Sequence, residues 1–168
     1  MKNIAFIALI IIIGLITSCD KGNELAPLPK NDPSGDYFYT GESDYYNSDG
    51  NLDFNGTTAG SLSIVVSLNS QTISISILPN VGYSYIIHGS NLEAHGDTTT
   101  FRIVRQQVTI GSSYLQTFNL EGTNGIKVGN LGYYDGFFTS NSIQLHYRSI
   151  NIESLDFVKT LLVAKKRN

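Results

Sequence analysis

The chain has 168 residues, with 14 acidic and 11 basic side chains, one cysteine and no tryptophan. A formal net charge of −3 excludes the basic footprint of a nucleic-acid binder. A single cysteine leaves no intrachain disulfide to form, so the fold has to rest on a buried core, which this length can supply.

The first element is Met1-Lys2-Asn3 followed by an apolar run over residues 4–16. The run is too short for the roughly 20 residues of a membrane-spanning helix and fits the ~7–15 residues of a signal-peptide core. It closes on Ile16-Thr17-Ser18-Cys19, a branched apolar residue, two small residues and a cysteine. That tetrapeptide resembles the lipobox of bacterial lipoproteins. The resemblance implies that residues 1–18 are a signal peptide and that Cys19 becomes a lipidated N-terminus. It would carry a diacylglycerol thioether and a further acyl chain of the palmitate kind. Each buried methylene contributes ~0.8 kcal/mol, so several chains anchor a protein stably. The resemblance also implies a bacterial cell envelope. Asp20 resembles an inner-membrane retention signal, whereas an acidic run such as Asp20 to Glu24 sends lipoproteins of other lineages outward. The expectation is the outer membrane in preference to the inner.

Residues 19–34 contain three of the four prolines and few large apolar groups. Proline fixes φ and removes a backbone donor, so this stretch reads as a tether reaching ~45 Å at about 3.1 Å per residue. Residues 35–168 read as one antiparallel β domain. Leu62, Ile64 and Val66 alternate with Ser61, Ser63 and Val65, and Ile73, Ile75 and Ile77 alternate with Thr72, Ser74 and Ser76. Period-two alternation places one face on a core and the other towards water. With the break at Asn69-Ser70-Gln71, residues 61–78 form a hairpin. Further strands are predicted over 36–47, 83–88, 99–110, 114–121, 133–139, 142–149 and 156–165. Leu155, Val158 and Leu162 also fit helical spacing, but the Phe, Val and Thr content of the last segment favours a strand.

Eight to ten short strands with tight connections predict an all-β fold, either a closed barrel or a two-sheet sandwich. Gly35-Asp36-Tyr37 and Asp135-Gly136-Phe137 resemble the corresponding segments of small lipocalin-like (calycin-like) bacterial lipoproteins. This implies a single antiparallel β-barrel; Tyr37 stands where that family usually has tryptophan.

Residues that could carry chemistry are few. Asn47, Asp49 and Asp53, around Gly50, partly match a calcium loop, in which oxygen ligands alternate about a glycine; Asp-Gly between strands is also ordinary turn chemistry. His88, His95 and His146 lack zinc-ligand spacing, although Glu93 and His95 would share a strand face. No Gly-x-Ser-x-Gly elbow occurs, and Glu93, Asp97, Glu121, Asp135, Glu153 and Asp156 read as solvated turn carboxylates. Aromatic doublets are the remaining candidates: Tyr45, Tyr46, Tyr133 and Tyr134 offer flat faces with hydroxyls, suited to sugar or protein contacts. The expected function is therefore a non-enzymatic binding domain without a cofactor, tethered to a membrane by lipid. Its ligand is a small apolar or amphipathic molecule or a glycan. The alternatives are an assembly partner of another envelope protein and an inhibitor of an exogenous lytic enzyme.

Overall fold

The structure is a computed structural model that describes residues 32–67 and 69–167. The lipobox with Cys19, most of the tether and Leu68 lie outside the described residues. Twelve strands succeed one another: β1 Gly35–Tyr46, β2 Leu52–Ser67, β3 Thr72–Pro79, β4 Tyr85–His95, β5 Thr98–Ile103 and β6 Gln106–Ile110, then β7 Gln116–Gly122, β8 Ile126–Val128, β9 Gly132–Tyr134, β10 Gly136–Phe138, β11 Ser142–Asn151 and β12 Phe157–Lys166. The described fold is all-β and antiparallel, as the alternation predicts, and the last segment is a strand rather than a helix.

Eight strands form a closed ring in the order β1-β2-β3-β4-β5-β10-β11-β12, with β12 returning to β1. Each pairs with its successor in the chain, apart from an excursion of four strands between β5 and β10. That excursion makes the sheet branch. β11 gives one edge to β12 along nearly its whole length, but it divides the other: residues 143–145 pair with β10 and residues 147–151 with β7. β6 pairs with β7 and runs back beside the first half of β4, where the Val104 amide donates to the His88 carbonyl (2.8 Å) and Gln106 Nε2 to the Ile86 carbonyl (3.2 Å). β8 and β9 form a separate hairpin.

One carboxylate occupies the branch. Asp135, between β9 and β10, is 5 % exposed. Its Oδ2 accepts the Ile103 amide at 3.0 Å and its Oδ1 the Asn124 amide at 2.6 Å. Its own carbonyl accepts the His146 amide at 2.7 Å. The end of β5, the segment after β7 and the middle of β11 are thus tied to one residue. A buried backbone donor without a partner is costly, so this side chain replaces the missing rungs. Asp135 is therefore not the solvated turn carboxylate expected of Asp-Gly. The glycines beside it reflect the crowding. A Cβ on Gly122 would overlap the Asp135 carboxylate, one on Gly125 the His146 ring, and one on Gly136 the Phe101 ring.

Strand lengths differ from expectation for related reasons. β2 begins at Leu52 and not near Ser61, because Gly56 and Gly60 are not turn residues; the rings of Tyr45 and Tyr39 lie against them. β4 continues past His88 through Gly89, which faces Ile73 and Phe101, and through a bulge between Ser90 and Glu93 with Asn91 at φ 54°. The segment 99–110 is broken at Val104-Arg105, and 133–139 at Asp135.

Inward residues fill one end of the ring. Tyr37, Ile64, Ile73, Phe101, Phe138, Ile143 and Ala164 are nearly inaccessible, and the Tyr37 hydroxyl donates to the Pro33 carbonyl at 2.6 Å. Replacing Asp135 with alanine removes two charge-assisted hydrogen bonds and strands two amides. At about 1.5–3 kcal/mol per bond, Asp135→Ala is expected to cost about 3–6 kcal/mol in urea unfolding. A loss below ~1 kcal/mol would show that the branch does not depend on this carboxylate.

Candidate functional site

The same inward alternation that builds the core changes character along each strand. On β1 it runs Tyr37, Tyr39, Gly41, Ser43, Tyr45; on β11 Ile143, Leu145, Tyr147, Ser149; on β12 Ala164, Leu162, Thr160, Val158. On β11 and β12 aliphatic side chains thus give way to hydroxyls, and on β1 tyrosines give way to Gly41 and Ser43, towards the end of the ring where a pocket of about 220 Å³ opens. Ser43, Tyr45, Thr58, Tyr85, Tyr147, Ser149 and Thr160 line it, together with Val108, Ile110, Phe118, Leu120 and Val158. An eight-stranded ring has an interior just wide enough for side chains or one small ligand. Here the side chains take one end and leave the other open.

Register brings the hydroxyls together. Ser43 stands opposite Thr160, and Thr160 opposite Tyr147. Ser43 Oγ and Thr160 Oγ1 are 3.0 Å apart. The Tyr147 hydroxyl meets that of Tyr85 at 2.5 Å, with the rings edge to face at 6.5 Å between centroids. Burial pushes the Tyr85 hydroxyl up to about 12 and that of Tyr147 well above its usual range, since a phenolate loses hydration there. Tyr37 and Tyr39 shift upward for the same reason.

Charge is kept on the outer face. Asp44, Lys159, Arg148 and Glu121 succeed one another across β1, β12, β11 and β7. Asn55 Nδ2 donates to Asp44 Oδ1 at 2.5 Å, Arg148 grips Glu121, and Lys159 lies 4.8 Å from the Tyr46 ring centroid. His146, on this face, is held below its ordinary value mainly by burial, then by Lys159, with Asp44 and Asp135 opposing.

The four tyrosines expected at a site separate. Tyr45 lines the mouth of the pocket and stacks on Phe54 at 4.1 Å. Tyr46 faces outward, stacked on Phe157 at 4.6 Å beneath Lys159. Tyr133 and Tyr134 belong to the β8–β9 hairpin; Tyr133 is exposed, and Tyr134 packs under Arg102 and donates to the Leu131 carbonyl. In the calcium-loop candidate, Asn47 Oδ1 accepts the Asp49 and Asn51 amides at 3.1 and 2.9 Å. That oxygen is engaged in an Asx turn, the ordinary use of Asn in a connection. Glu93 and His95 do share a face, 3.7 Å apart. Sequence reasoning misses Ser43, Tyr85, Tyr147 and Thr160. Their signal is the switch from aliphatic to hydroxyl-bearing residues on the inward face, in register on neighbouring strands.

No protein-family model matches this sequence, and no curated protein matches it.

The buried phenols set an alkaline limit on stability. In the unfolded chain tyrosine ionises near pH 10, whereas Tyr85 in the fold holds its proton to about pH 12. The unfolded state therefore binds fewer protons above pH 10, and stability falls as pH rises through that window. The expected loss by pH 12 is about 2 kcal/mol from Tyr85, at 1.36 kcal/mol per unit. Urea unfolding between pH 9 and 12 checks it: Tyr85→Phe should flatten the decline, and an equal slope in both proteins would contradict the burial argument.

Proposed function

We propose that the chain is a lipid-anchored protein of a bacterial envelope, on the outer membrane in preference to the inner. Its β domain holds a small apolar or amphipathic molecule without transforming it. The observation that carries the reading is the pocket at one end of the ring, floored by hydroxyls and walled by Val108, Ile110, Phe118 and Leu120. An apolar concavity with a few converging polar groups is the usual form of a small-molecule site. Phenols held as high as those of Tyr85 and Tyr147 keep their protons at neutral pH and can donate hydrogen bonds to a bound molecule.

The lipocalin-like reading is supported by the up-and-down order of the ring, first strand against last, the arrangement of lipocalin barrels. The anchor rests on Ile16-Thr17-Ser18-Cys19 behind an apolar run of signal-peptide length.

One experiment addresses both parts. The full chain is expressed in a bacterial envelope, extracted in mild detergent and weighed by mass spectrometry under native and denaturing conditions. Under denaturing conditions the mass should correspond to a chain starting at Cys19 with covalent acyl groups. Cys19→Ser should lose those groups and leave the membrane fraction. The native spectrum should show an additional small-molecule mass that disappears on denaturation. A Cys19→Ser protein that stays in the membrane at mature size contradicts the anchor, and equal native and denatured masses contradict the held ligand.

A further inference from the structure

The lining of the pocket narrows the class of ligand it can take. Resting on the proposal that this pocket is a binding chamber, we infer that it selects an uncharged molecule with one ring-sized apolar body and a single hydrogen-bonding head, and rejects the matching carboxylate. Size comes first. About 220 Å³ exceeds the roughly 150 Å³ of an apolar cavity that takes up benzene. It falls short of the ~300 Å³ at which drug-sized sites begin. One six-membered ring with a short substituent fits within it.

Charge comes second. None of the twelve lining residues is ionisable at neutral pH. The charged side chains Asp44, Lys159 and Arg148 are on the opposite face of strands that line it, where Asn55, the aromatic rings and Glu121 engage them. A carboxylate seated among the lining hydroxyls would lose hydration and meet no cationic side chain there.

The head group is set by the count of hydroxyl hydrogens. Ser43 is linked to Thr160, and Tyr147 to Tyr85. Each link uses one hydrogen, and each hydroxyl has one to give, so each pair retains one hydrogen and several lone pairs for a partner. At the Tyr85–Tyr147 pair, a single hydroxyl, carbonyl or amide satisfies that remainder. The apolar body then lies against Val108, Ile110, Phe118 and Leu120, contributed by β6 and β7.

Three probes share one ring and differ only in the head: 4-fluorobenzyl alcohol, fluorobenzene and 4-fluorobenzoate. They are titrated by fluorine NMR at neutral pH into the full chain in lipid nanodiscs, with protein-free nanodiscs correcting for partition. The alcohol should bind roughly three- to tenfold tighter than fluorobenzene, the value of one net hydrogen bond. The benzoate should bind roughly a hundredfold or more weaker than the alcohol. Tyr147→Phe should reduce the alcohol to the affinity of fluorobenzene and leave fluorobenzene unchanged; Tyr85→Phe provides the same test if Tyr147→Phe does not fold. Benzoate binding as tightly as the alcohol would overturn the selectivity while leaving the chamber standing. An alcohol indifferent to both substitutions would overturn the assigned head position. If none of the probes binds, the chamber reading falls, and the ligand class with it.

Discussion

A ring of hydrogen-bonded strands has no free edge, but this one gains a branch, and a branch leaves backbone amides facing nothing. Asp135 answers that constraint. Its carboxylate takes the Ile103 amide at the end of β5 and the Asn124 amide beyond β7, and its carbonyl takes the His146 amide of β11. Three elements that a regular ladder would not join thereby meet at one residue. The cost of burying a carboxylate is offset because it replaces rungs whose absence would itself be expensive.

The branch determines what the interior becomes. At one end β5 and β10 close the ring, and Phe101 and Phe138 fill the space between its walls. At the other, β6 and β7 form the wall beside β11, and shorter side chains leave room. β6 and the link before it meet β4 through the Val104 amide and the side chain of Gln106 and not through a ladder. The same strands present hydroxyls inward and a row of charges outward. Period-two alternation alone produces that separation, and it makes the chamber neutral.

Much of this is legible in the chain. Alternation over 61–66 and 72–77 marks β2 and β3, and Ile143, Leu145 and Tyr147 mark β11. Glycine is the main source of error, because in sequence it looks like a break. Gly56, Gly60 and Gly89 lie inside strands; the Tyr45 ring packs closely on Gly56, and neighbouring backbone and side chains leave no space for a Cβ at Gly60 and Gly89, and only the partner across the sheet reveals that. Asp135-Gly136 looks like turn chemistry in sequence, and nothing local shows that three distant amides converge there. The candidate site is half visible: Tyr45 reaches the pocket, but Tyr133 and Tyr134 stand out only for being adjacent, whereas the hydroxyl grouping lies across strands. Ser43, Thr160, Tyr147 and Tyr85 are far apart in sequence and become neighbours only once register is known.

The central claim is that the open end of the ring is a chamber for a neutral guest. The most direct measurement is a crystal structure of the chain purified from a bacterial envelope without added ligand, read for electron density between the Tyr147 hydroxyl and Phe118. The account predicts density for a compact small molecule with a polar atom within hydrogen-bonding distance of the Tyr85–Tyr147 pair. A space closed by movement of Phe118, Ile110 or Tyr45, with those hydroxyls bonded only to protein, would contradict it.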